Sequence, residues 1–435
     1  MRTLRKGDSG ADVELLQTGL RRATGVPQVP DGQFGSNTKE TILRWQQAQA
    51  LAVDGIVGPR TWETLLPFLR GYTLHEYQSD DTFLALAVQY DSTPGAIAAA
   101  NPEPNQLRPG EQIVIPYNRL VVPTDIRWCS SLLELVLDGI AKRFPFVEIS
   151  SIGRSVLGHP IWQASIGTGP VRVGYNAAHH ANEWITTPVL MKFLEQYASG
   201  VAHGGNVGGV EYERLFRHYT LDIVPMVNPD AVDLVTGALG KETAAYRMCK
   251  EIADGFPDIP FPEGWKANIE GVDLNLQYPA GWEKARQLKY ARGFNRPAPR
   301  DYVGPAPLSA PESAAMHQRA LQADYQLILA YHTQGKLIYW KYNDYNPAGS
   351  AELARRMQSV SSYLPAETPD YSSSAGYKDW FIQQYNRPGY TIEAGQGKNP
   401  LPLKQFDQIY NDNFGILLLG MIGLDGEADS LGALP

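Results

Sequence analysis

The amino-acid sequence predicts an α/β fold for residues 130–435, with a mixed central sheet and flanking helices. In this part of the chain, apolar runs typical of buried strands alternate with amphipathic stretches typical of helices. Two smaller parts precede it. Residues 1–70 carry apolar side chains at helical spacing, and residues 71–117 place two helical segments between two strand-like ones. A connector at about 117–129 is rich in proline and polar residues, and a length of 435 residues also favours more than one domain.

Candidate functional residues follow the ends of three apolar runs. His180 and Glu183 come after the run at 171–176, and His332 and Glu393 each come directly after a later run. Ligands bind outside the carboxyl ends of the strands in open α/β sheets, so these side chains are expected to meet. Two histidines and one glutamate around zinc leave a fourth position open, which is typical of a catalytic site. A separate carboxylate, Glu393, is then free to act as general base. The predicted strand runs are 162–166, 171–176, 221–227, 327–331 and 390–392.

Composition limits the classes of partner. The net charge is −8 and no long run of lysine or arginine occurs, which argues against nucleic acid or an anionic membrane as main partner. The apolar tract at 414–424 is too short to span a bilayer and is expected to form a buried helix. Residues 1–7 lack the apolar core of a signal peptide, so the sequence leaves the compartment open.

The two cysteines, Cys129 and Cys249, are too few for a disulfide scaffold or a cysteine-rich zinc site. We expect two unpaired structural thiols, with a single bond between them as the alternative.

The N-terminal part contains a turn phrase that occurs twice, Asp31-Gly-Gln-Phe-Gly35 and Asp54-Gly-Ile-Val-Gly58. Pro59 follows the second phrase and suits the first position of a helix that carries Trp62. The spacing of phrases and helices over residues 1–70 resembles the peptidoglycan-binding domain of cell-wall hydrolases, which implies binding to the wall. A generic three-helix bundle is the alternative.

The order strand-helix-helix-strand in residues 71–117 resembles a LysM module. The resemblance implies binding to glycan strands that contain N-acetylglucosamine. Ser79-Asp80-Asp81 stands where the module usually has Gly-Asp, so a weakened glycan site is expected.

The C-terminal part resembles the zinc metallocarboxypeptidase family, whose ligand motif is His-x-x-Glu followed by Trp-Ile-Thr, as at residues 180–186. The resemblance implies a carboxypeptidase-like fold, a Zn²⁺ cofactor held by His180, Glu183 and His332, and Glu393 as general base. Further phrases typical of the family are Asn228-Pro229-Asp230, Gly271-Val-Asp-Leu-Asn275, and Ser374-Ala-Gly376 with Asp379-Trp380.

The resemblance also implies roles for residues around the metal. Lys266 stands at the family's arginine that stabilises the oxyanion, although lysine offers a point charge rather than a bidentate fork. Tyr371 stands at the family's mobile tyrosine, with the nearby Tyr377 as the alternative. Asp273 is the candidate hydrogen-bond partner of a histidine ligand. His179 is expected to support the metal ligands or to lie in the pocket, rather than to bind the metal.

The chain departs from the family at Leu276. Carboxypeptidases that trim a free C-terminus have arginine there to grip the terminal carboxylate. Asn275 remains to bind one carboxylate oxygen, but C-terminal trimming becomes the weaker hypothesis.

Phrases at 181–184, 332–335 and 399–402 are similar to the branch of γ-D-glutamyl-(L)-meso-diaminopimelate peptidases. The predicted substrate is therefore the stem peptide of peptidoglycan. Lys378 and Lys398, placed in loops, are candidates to meet its carboxylates, with solvated lysines as the alternative. The other hypotheses are an unusual C-terminal carboxypeptidase and a non-catalytic binder of the wall or spore coat.

Overall fold

A computed structural model describes residues 1–369, 371 and 374–423 of the chain. These residues form two compact units. The first comprises residues 1–148 with 195–203 and 236–238, and the second comprises the rest of the described residues.

The first unit begins with three helices that confirm the helical expectation for residues 1–70. Pro59 starts the third helix, as predicted. The helices enclose an apolar core that includes Leu16, Leu20, Ile42 and Trp62. Their bounds are α1 Ala11–Thr24, α2 Ser36–Ala48 and α3 Pro59–Arg70.

The repeated turn phrase has one structural cause at both occurrences. A buried glutamine of the preceding helix, Gln17, donates to Asp31 and accepts from the backbone N–H of Gly32, at 2.7 and 2.9 Å. Gln46 makes the same pair of hydrogen bonds to Asp54 and Gly55, both at 2.9 Å. Both glycines have a φ near +70°, which a side chain rarely adopts, so Asp-Gly is required at both turns.

The order strand-helix-helix-strand of residues 71–117 is confirmed. The two strands pair antiparallel, with Tyr72 opposite Pro116. Thr82 and Thr93 cap the two helices by accepting from backbone N–H groups. The bounds are β1 Tyr72–Glu76, α4 Phe83–Tyr90, α5 Pro94–Ala100 and β2 Gln112–Pro116, and α6 Ser130–Arg143 follows.

The second unit is built on a mixed sheet, as the sequence predicts. Among the described residues it has eight strands in the order β11-β10-β12-β9-β5-β8-β4-β3. The four central strands β12, β9, β5 and β8 run parallel, while β10 and β4 pair antiparallel to β12 and β8. The bounds are β3 Glu148–Arg154, β4 Pro160–Ile166, β5 Val171–Ala177, β8 Tyr219–Val224, β9 Leu327–His332, β10 Leu337–Tyr339, β11 Leu364–Ala366 and β12 Gly389–Glu393, with a separate hairpin of β6 Asn206–Val207 and β7 Val210–Glu211.

Helices cover both faces of this sheet. Ile328 and Ala330 of β9 belong to an apolar cluster with residues of two helices, α12 and α14. On the opposite face, the Tyr175 hydroxyl of β5 donates to the Leu417 carbonyl of α15 at 2.7 Å. The described helices that follow α6 along the chain are α7 Thr186–His203, α8 Tyr212–His218, α9 Pro229–Thr236, α10 Ala244–Asp254, α11 Trp282–Tyr290, α12 Pro311–Ala323, α13 Ser350–Ser361, α14 Tyr377–Tyr385 and α15 Phe406–Ile422.

The apolar C-terminal tract is a buried helix up to Ile422, as expected; Gly423 follows it, and Leu424 lies outside the described residues. Within the described ranges, no helix combines the length and apolar character needed to cross a membrane. Cys129 and Cys249 are both buried, and no disulfide bond joins them.

Candidate metal centre and active site

His180 and Glu183 are held by a single turn after β5. The turn Ala181–Glu183 is a short 3₁₀ helix, so the two side chains project to the same side. The Thr186 hydroxyl donates to the carbonyl of Glu183 at 2.7 Å and accepts from the N–H of Ala178 at 3.2 Å. The threonine of the Trp-Ile-Thr phrase therefore fixes the backbone that presents both side chains.

His332 and Glu393 are brought together by strand register. They end the neighbouring parallel strands β9 and β12 and lie directly opposite each other. Because β5 is the other neighbour of β9, the turn that bears His180 emerges at the same edge of the sheet.

Three buried side chains form a compact donor cluster. One donor atom each of His180, Glu183 and His332 lies within 4.8 Å of the others. Nδ1 of His180 is 3.0 Å from Glu183 Oε1, Nδ1 of His332 is 2.9 Å from Glu183 Oε2, and the two Nδ1 atoms are 3.2 Å apart. Zinc prefers nitrogen and carboxylate donors of this kind.

The hydrogen bonds of His180 test whether a cation fits there. Its Nε2 lies 3.1 Å from Asp273 Oδ1, so Nε2 donates to that carboxylate and Nδ1 is directed at the carboxylate of Glu183. A neutral ring would direct the lone pair of Nδ1 at this carboxylate oxygen, which is repulsive unless a proton or a metal ion lies between the two atoms. Burial lowers the pKa of His180, but Glu183 and Asp273 outweigh burial and raise it to about 9. The donor set thus demands a positive charge, and a zinc ion fits this requirement.

Glu393 and Lys266 flank the cluster. Lys266 Nζ lies 3.3 Å from Glu183 Oε1, and that carboxylate raises the pKa of Lys266 against the effect of burial, so the ammonium stays charged. Burial and the charge of Glu183 raise the pKa of Glu393 to about 8 without a cation, and a bound dication lowers it.

One cavity of about 340 Å³ contains the candidates. His180, Glu183, His332, Lys266 and Glu393 line it together, as the chemistry requires. Asn275, Tyr371 and Lys378 line it as well. Asn275 Oδ1 accepts from the N–H of Tyr377 at 3.0 Å, which fixes the amide.

The placement of the two lysines differs from the sequence-based expectation. Lys378 lies in the first turn of α14 rather than in a loop; it is buried, forms an ion pair with Asp379 at 2.6 Å and donates to the Lys341 carbonyl at 2.7 Å. The helix begins at Tyr377, directly after the Ser-x-Gly phrase, so Lys378 is its second residue. Lys398 does lie in a loop, but it is exposed and outside the cavity lining.

Sequence reasoning missed three cations in the cavity wall: Lys289, Arg292 and Arg300. They belong to the end of α11 and the irregular segment that follows, where no periodic pattern marks them. His179 is buried outside the cavity lining, and its Nε2 lies 2.9 Å from the Tyr278 hydroxyl; it does not belong to the donor cluster.

Comparison with known proteins identifies the family. The zinc carboxypeptidase family model matches residues 133–415. The chain belongs to the zinc carboxypeptidase family. A second family model, described as a putative peptidoglycan-binding domain, matches residues 9–65 of this chain. This match confirms the resemblance predicted for the N-terminal part.

Relatives agree with this assignment. The chain is 44% identical over 279 residues to gamma-D-glutamyl-L-diamino acid endopeptidase 1 of Lysinibacillus sphaericus, covering 64% of this chain and 68% of the relative. It is 41% identical to an uncharacterized protein of Bacillus subtilis, over 66% and 75% of the two chains. The fold is similar to carboxypeptidase A of Helicoverpa armigera, with a TM-score of 0.50 at 20% identity over 80% of this chain and 81% of the other.

Family membership and the donor cluster together establish the class of protein. This zinc carboxypeptidase homologue is a zinc metallopeptidase with the His180–Glu183–His332 cluster as its zinc site.

Proposed function

We propose that this peptidase hydrolyses the amide bond between γ-D-glutamate and meso-diaminopimelate in peptidoglycan stem peptides. The observation that carries the hydrolase chemistry is the common cavity of Glu393 and the zinc cluster. The substrate is supported by the 44% identical relative, which acts on γ-D-glutamyl-L-diamino acid bonds by name. Leu276 supports it as well, because it replaces the arginine that C-terminal trimming enzymes use.

The protein side chains divide the work of hydrolysis. When bound, zinc supplies Lewis acidity that acidifies water and polarises a carbonyl. Glu393 accepts a proton from the attacking water and returns it to the leaving amine. The ammonium of Lys266 stabilises the negative charge that develops on the carbonyl oxygen. Asp273 holds the proton on Nε2 of His180 and so keeps its Nδ1 available to the metal.

In this proposal Asn275 binds one carboxylate oxygen of the substrate, and Tyr371 forms a hydrogen bond with the substrate near the scissile amide. Both residues line the cavity, and Tyr371 is 53% exposed. In this proposal Lys378 and Lys398 contribute to binding stem carboxylates, with Lys378 restricted by its bonds to Asp379 and Lys341.

We propose the same division at the level of domains. Residues 1–70 bind the wall, residues 71–117 form a LysM-like module that contacts glycan strands, and residues 130–435 carry the catalytic site. The match of residues 9–65 to a peptidoglycan-binding family supports the first of these assignments.

A defined tetrapeptide, L-Ala-γ-D-Glu-meso-diaminopimelate-D-Ala, separates the hypotheses. Mass spectrometry is expected to detect L-Ala-D-Glu and the dipeptide meso-diaminopimelate-D-Ala, with loss of both on chelation of zinc. Release of D-Ala alone would instead identify a C-terminal carboxypeptidase, and zinc-free protein without products would identify a wall binder.

Glu393→Gln supplies the catalytic control. It is expected to lower kcat by about 10²–10⁴-fold while zinc content, measured by elemental analysis, stays at the wild-type value. The matched control Glu352→Gln alters an exposed side chain that pairs only with Arg355 among the described residues, so activity is expected to stay unchanged. Full activity of the Glu393 variant would contradict the proposed mechanism.

A further inference from the structure

The cavity wall carries positive charge that the proposed chemistry does not use. Lys289 is buried and forms an ion pair with Asp301. Arg300 donates from Nε to the other oxygen of Asp301 at 2.6 Å. The Arg292 guanidinium lies 5.4 Å from the centre of the Tyr371 ring. All three cations line the same cavity as the zinc cluster.

The charges of this wall do not cancel. Among the described residues, Asp301 is the carboxylate that pairs with Lys289 and Arg300, and Arg292 has no ion-pair partner. Asp273 is committed elsewhere, since one oxygen faces His180 and the other accepts from the N–H of Asp301 at 3.1 Å. Lys289, Arg292 and Arg300 together with Asp301 therefore carry a surplus of positive charge that an anionic ligand can meet.

Arg300 is the cation best placed to use that surplus. Its Nη1 and Nη2 atoms make no hydrogen bond to any residue that the structure describes, so the end of the guanidinium fork is available. Lys266 and Lys378 differ in this respect, because their ammonium groups already bond Glu183 and Asp379.

Packing at Leu276 explains why the charge is located here. Leu276 is buried in an apolar cluster with Trp282, Ala285 and Val303. This cluster joins α11 to the segment that contains Arg300, and it sets both against the cavity. Leu276 stands where C-terminal trimming enzymes have arginine, and its packing helps to position the segment that carries Arg300.

We propose that Arg300 binds a carboxylate of the substrate and thereby selects stem peptides by their acidic groups. This inference rests on the proposed function and names the recognition chemistry of the same site. A guanidinium fork binds a carboxylate through two parallel hydrogen bonds, which gives both affinity and orientation.

Three stem carboxylates are possible partners: the α-carboxylate of D-glutamate, the main-chain carboxylate of diaminopimelate and its side-chain carboxylate. The test therefore uses the tripeptide L-Ala-γ-D-Glu-meso-diaminopimelate and three derivatives, each amidated at one carboxylate. Binding is measured by titration calorimetry to Glu393→Gln protein loaded with zinc, with and without Arg300→Gln, and kcat/KM is measured in the parent background.

The expected result is specific to one derivative. Arg300→Gln is expected to weaken binding of the tripeptide by about 10- to 100-fold, because a charged hydrogen bond is lost. For one amidated derivative the loss is expected to fall below about 3-fold, since the partner carboxylate is already gone. That derivative identifies the bound group. Arg300→Lys, which keeps the charge without the fork, is expected to give an intermediate loss.

Two outcomes would overturn the inference: an equal loss for all four ligands, or wild-type affinity in Arg300→Gln. A fall in kcat of the same size for all four substrates, with unchanged affinity, would place Arg300 at the oxyanion and would overturn the inference as well. Arg217→Gln is the matched control; this exposed residue of α8 pairs with Glu213 and lies outside the cavity lining, so affinity is expected to be unchanged.

Failure of the proposed function would look different from failure of this inference. In that case the tripeptide is not hydrolysed, yet calorimetry still reports whether binding depends on Arg300 and on one carboxylate. Absence of any tripeptide binding would overturn the carboxylate site itself.

Discussion

Glu312 shows what a single buried carboxyl group contributes to this fold. It lies in the first turn of α12 and accepts hydrogen bonds from the N–H of Val156 and the amide of Asn268, at 3.1 and 3.2 Å. Among the described residues no cation pairs with it. Burial, with a smaller effect of Asp230, raises the pKa of Glu312 to about 7 from an ordinary 4.5.

This pKa predicts that stability falls as pH rises. Between pH 4.5 and 7 the folded state holds a proton that the unfolded chain has lost, so the free energy of unfolding decreases across this window. The full effect is on the order of 3 kcal/mol. Glu312→Gln is expected to remove this part of the pH dependence, as measured by denaturant unfolding at pH 5 and pH 8.

The exposed Glu352→Gln variant controls for general charge effects and should keep the wild-type pH dependence. An unchanged difference between pH 5 and pH 8 in Glu312→Gln would contradict the prediction.

The sequence predicted the metal donors better than the residues around them. His180 and Glu183 are three positions apart on one turn, and His332 ends a clear apolar run, so local pattern was sufficient. Arg300 comes from an irregular segment with no periodicity, and its position depends on packing around Leu276. Its place in the cavity was therefore visible only in the tertiary structure.

At the scale of elements, the central strands were predictable because both of their faces are buried. The runs at 171–176, 327–331 and 390–392 agree with β5, β9 and β12 to within a residue at each end. The run at 221–227 extends too far, since β8 ends at Val224 and Pro225 has no N–H to continue the ladder. The strands β3, β10 and β11 were missed because they are short or largely exposed and lack a continuous apolar run.

Close packing of α15 against the sheet gives a prediction for Gly420. A Cβ there would lie 2.2 Å from the Tyr175 hydroxyl and 2.8 Å from Leu329. Alanine favours the helix by about 1 kcal/mol, but forcing a methyl into a packed core costs about 1–3 kcal/mol. Gly420→Ala is therefore expected to lower the melting temperature, measured by calorimetry.

Asn411→Ala provides the comparison, because this residue of the same helix is exposed and should change stability by less than about 0.5 kcal/mol. Stabilisation by Gly420→Ala would show that the helix relaxes away from Tyr175 at little cost.

For the whole molecule, composition and motifs predicted separate binding and catalytic parts. The repeated Asp-Gly turn identified the peptidoglycan-binding domain, and the structure shows that each turn depends on a glutamine one helix earlier, Gln17 and Gln46. That dependence could not be read locally, since the partners are 15 and 9 residues apart. The glycan-binding role of residues 71–117 stays a prediction that rests on the order of its elements.

Wall binding by the full chain should not require the zinc site. The matched region at 9–65 contains none of the zinc donors, so Glu393→Gln protein is expected to sediment with insoluble peptidoglycan both with and without a chelator. Release by the chelator would mean that the zinc centre itself holds the wall.

The same variant tests whether tethering helps catalysis. A bound module raises the effective concentration of nearby stems to the millimolar range on the scale of short flexible links. A 100-fold excess of Glu393→Gln, which at equal affinity leaves the wild-type enzyme about 1% of the occupied wall sites, is expected to slow wild-type hydrolysis of insoluble wall. Hydrolysis of soluble tripeptide in excess over both proteins should be unaffected, because the two proteins then do not compete for an anchoring site.

Product release, followed by mass spectrometry on the two substrates in parallel, measures the difference. Equal rates with and without the variant on insoluble wall would show that catalysis there does not depend on tethering.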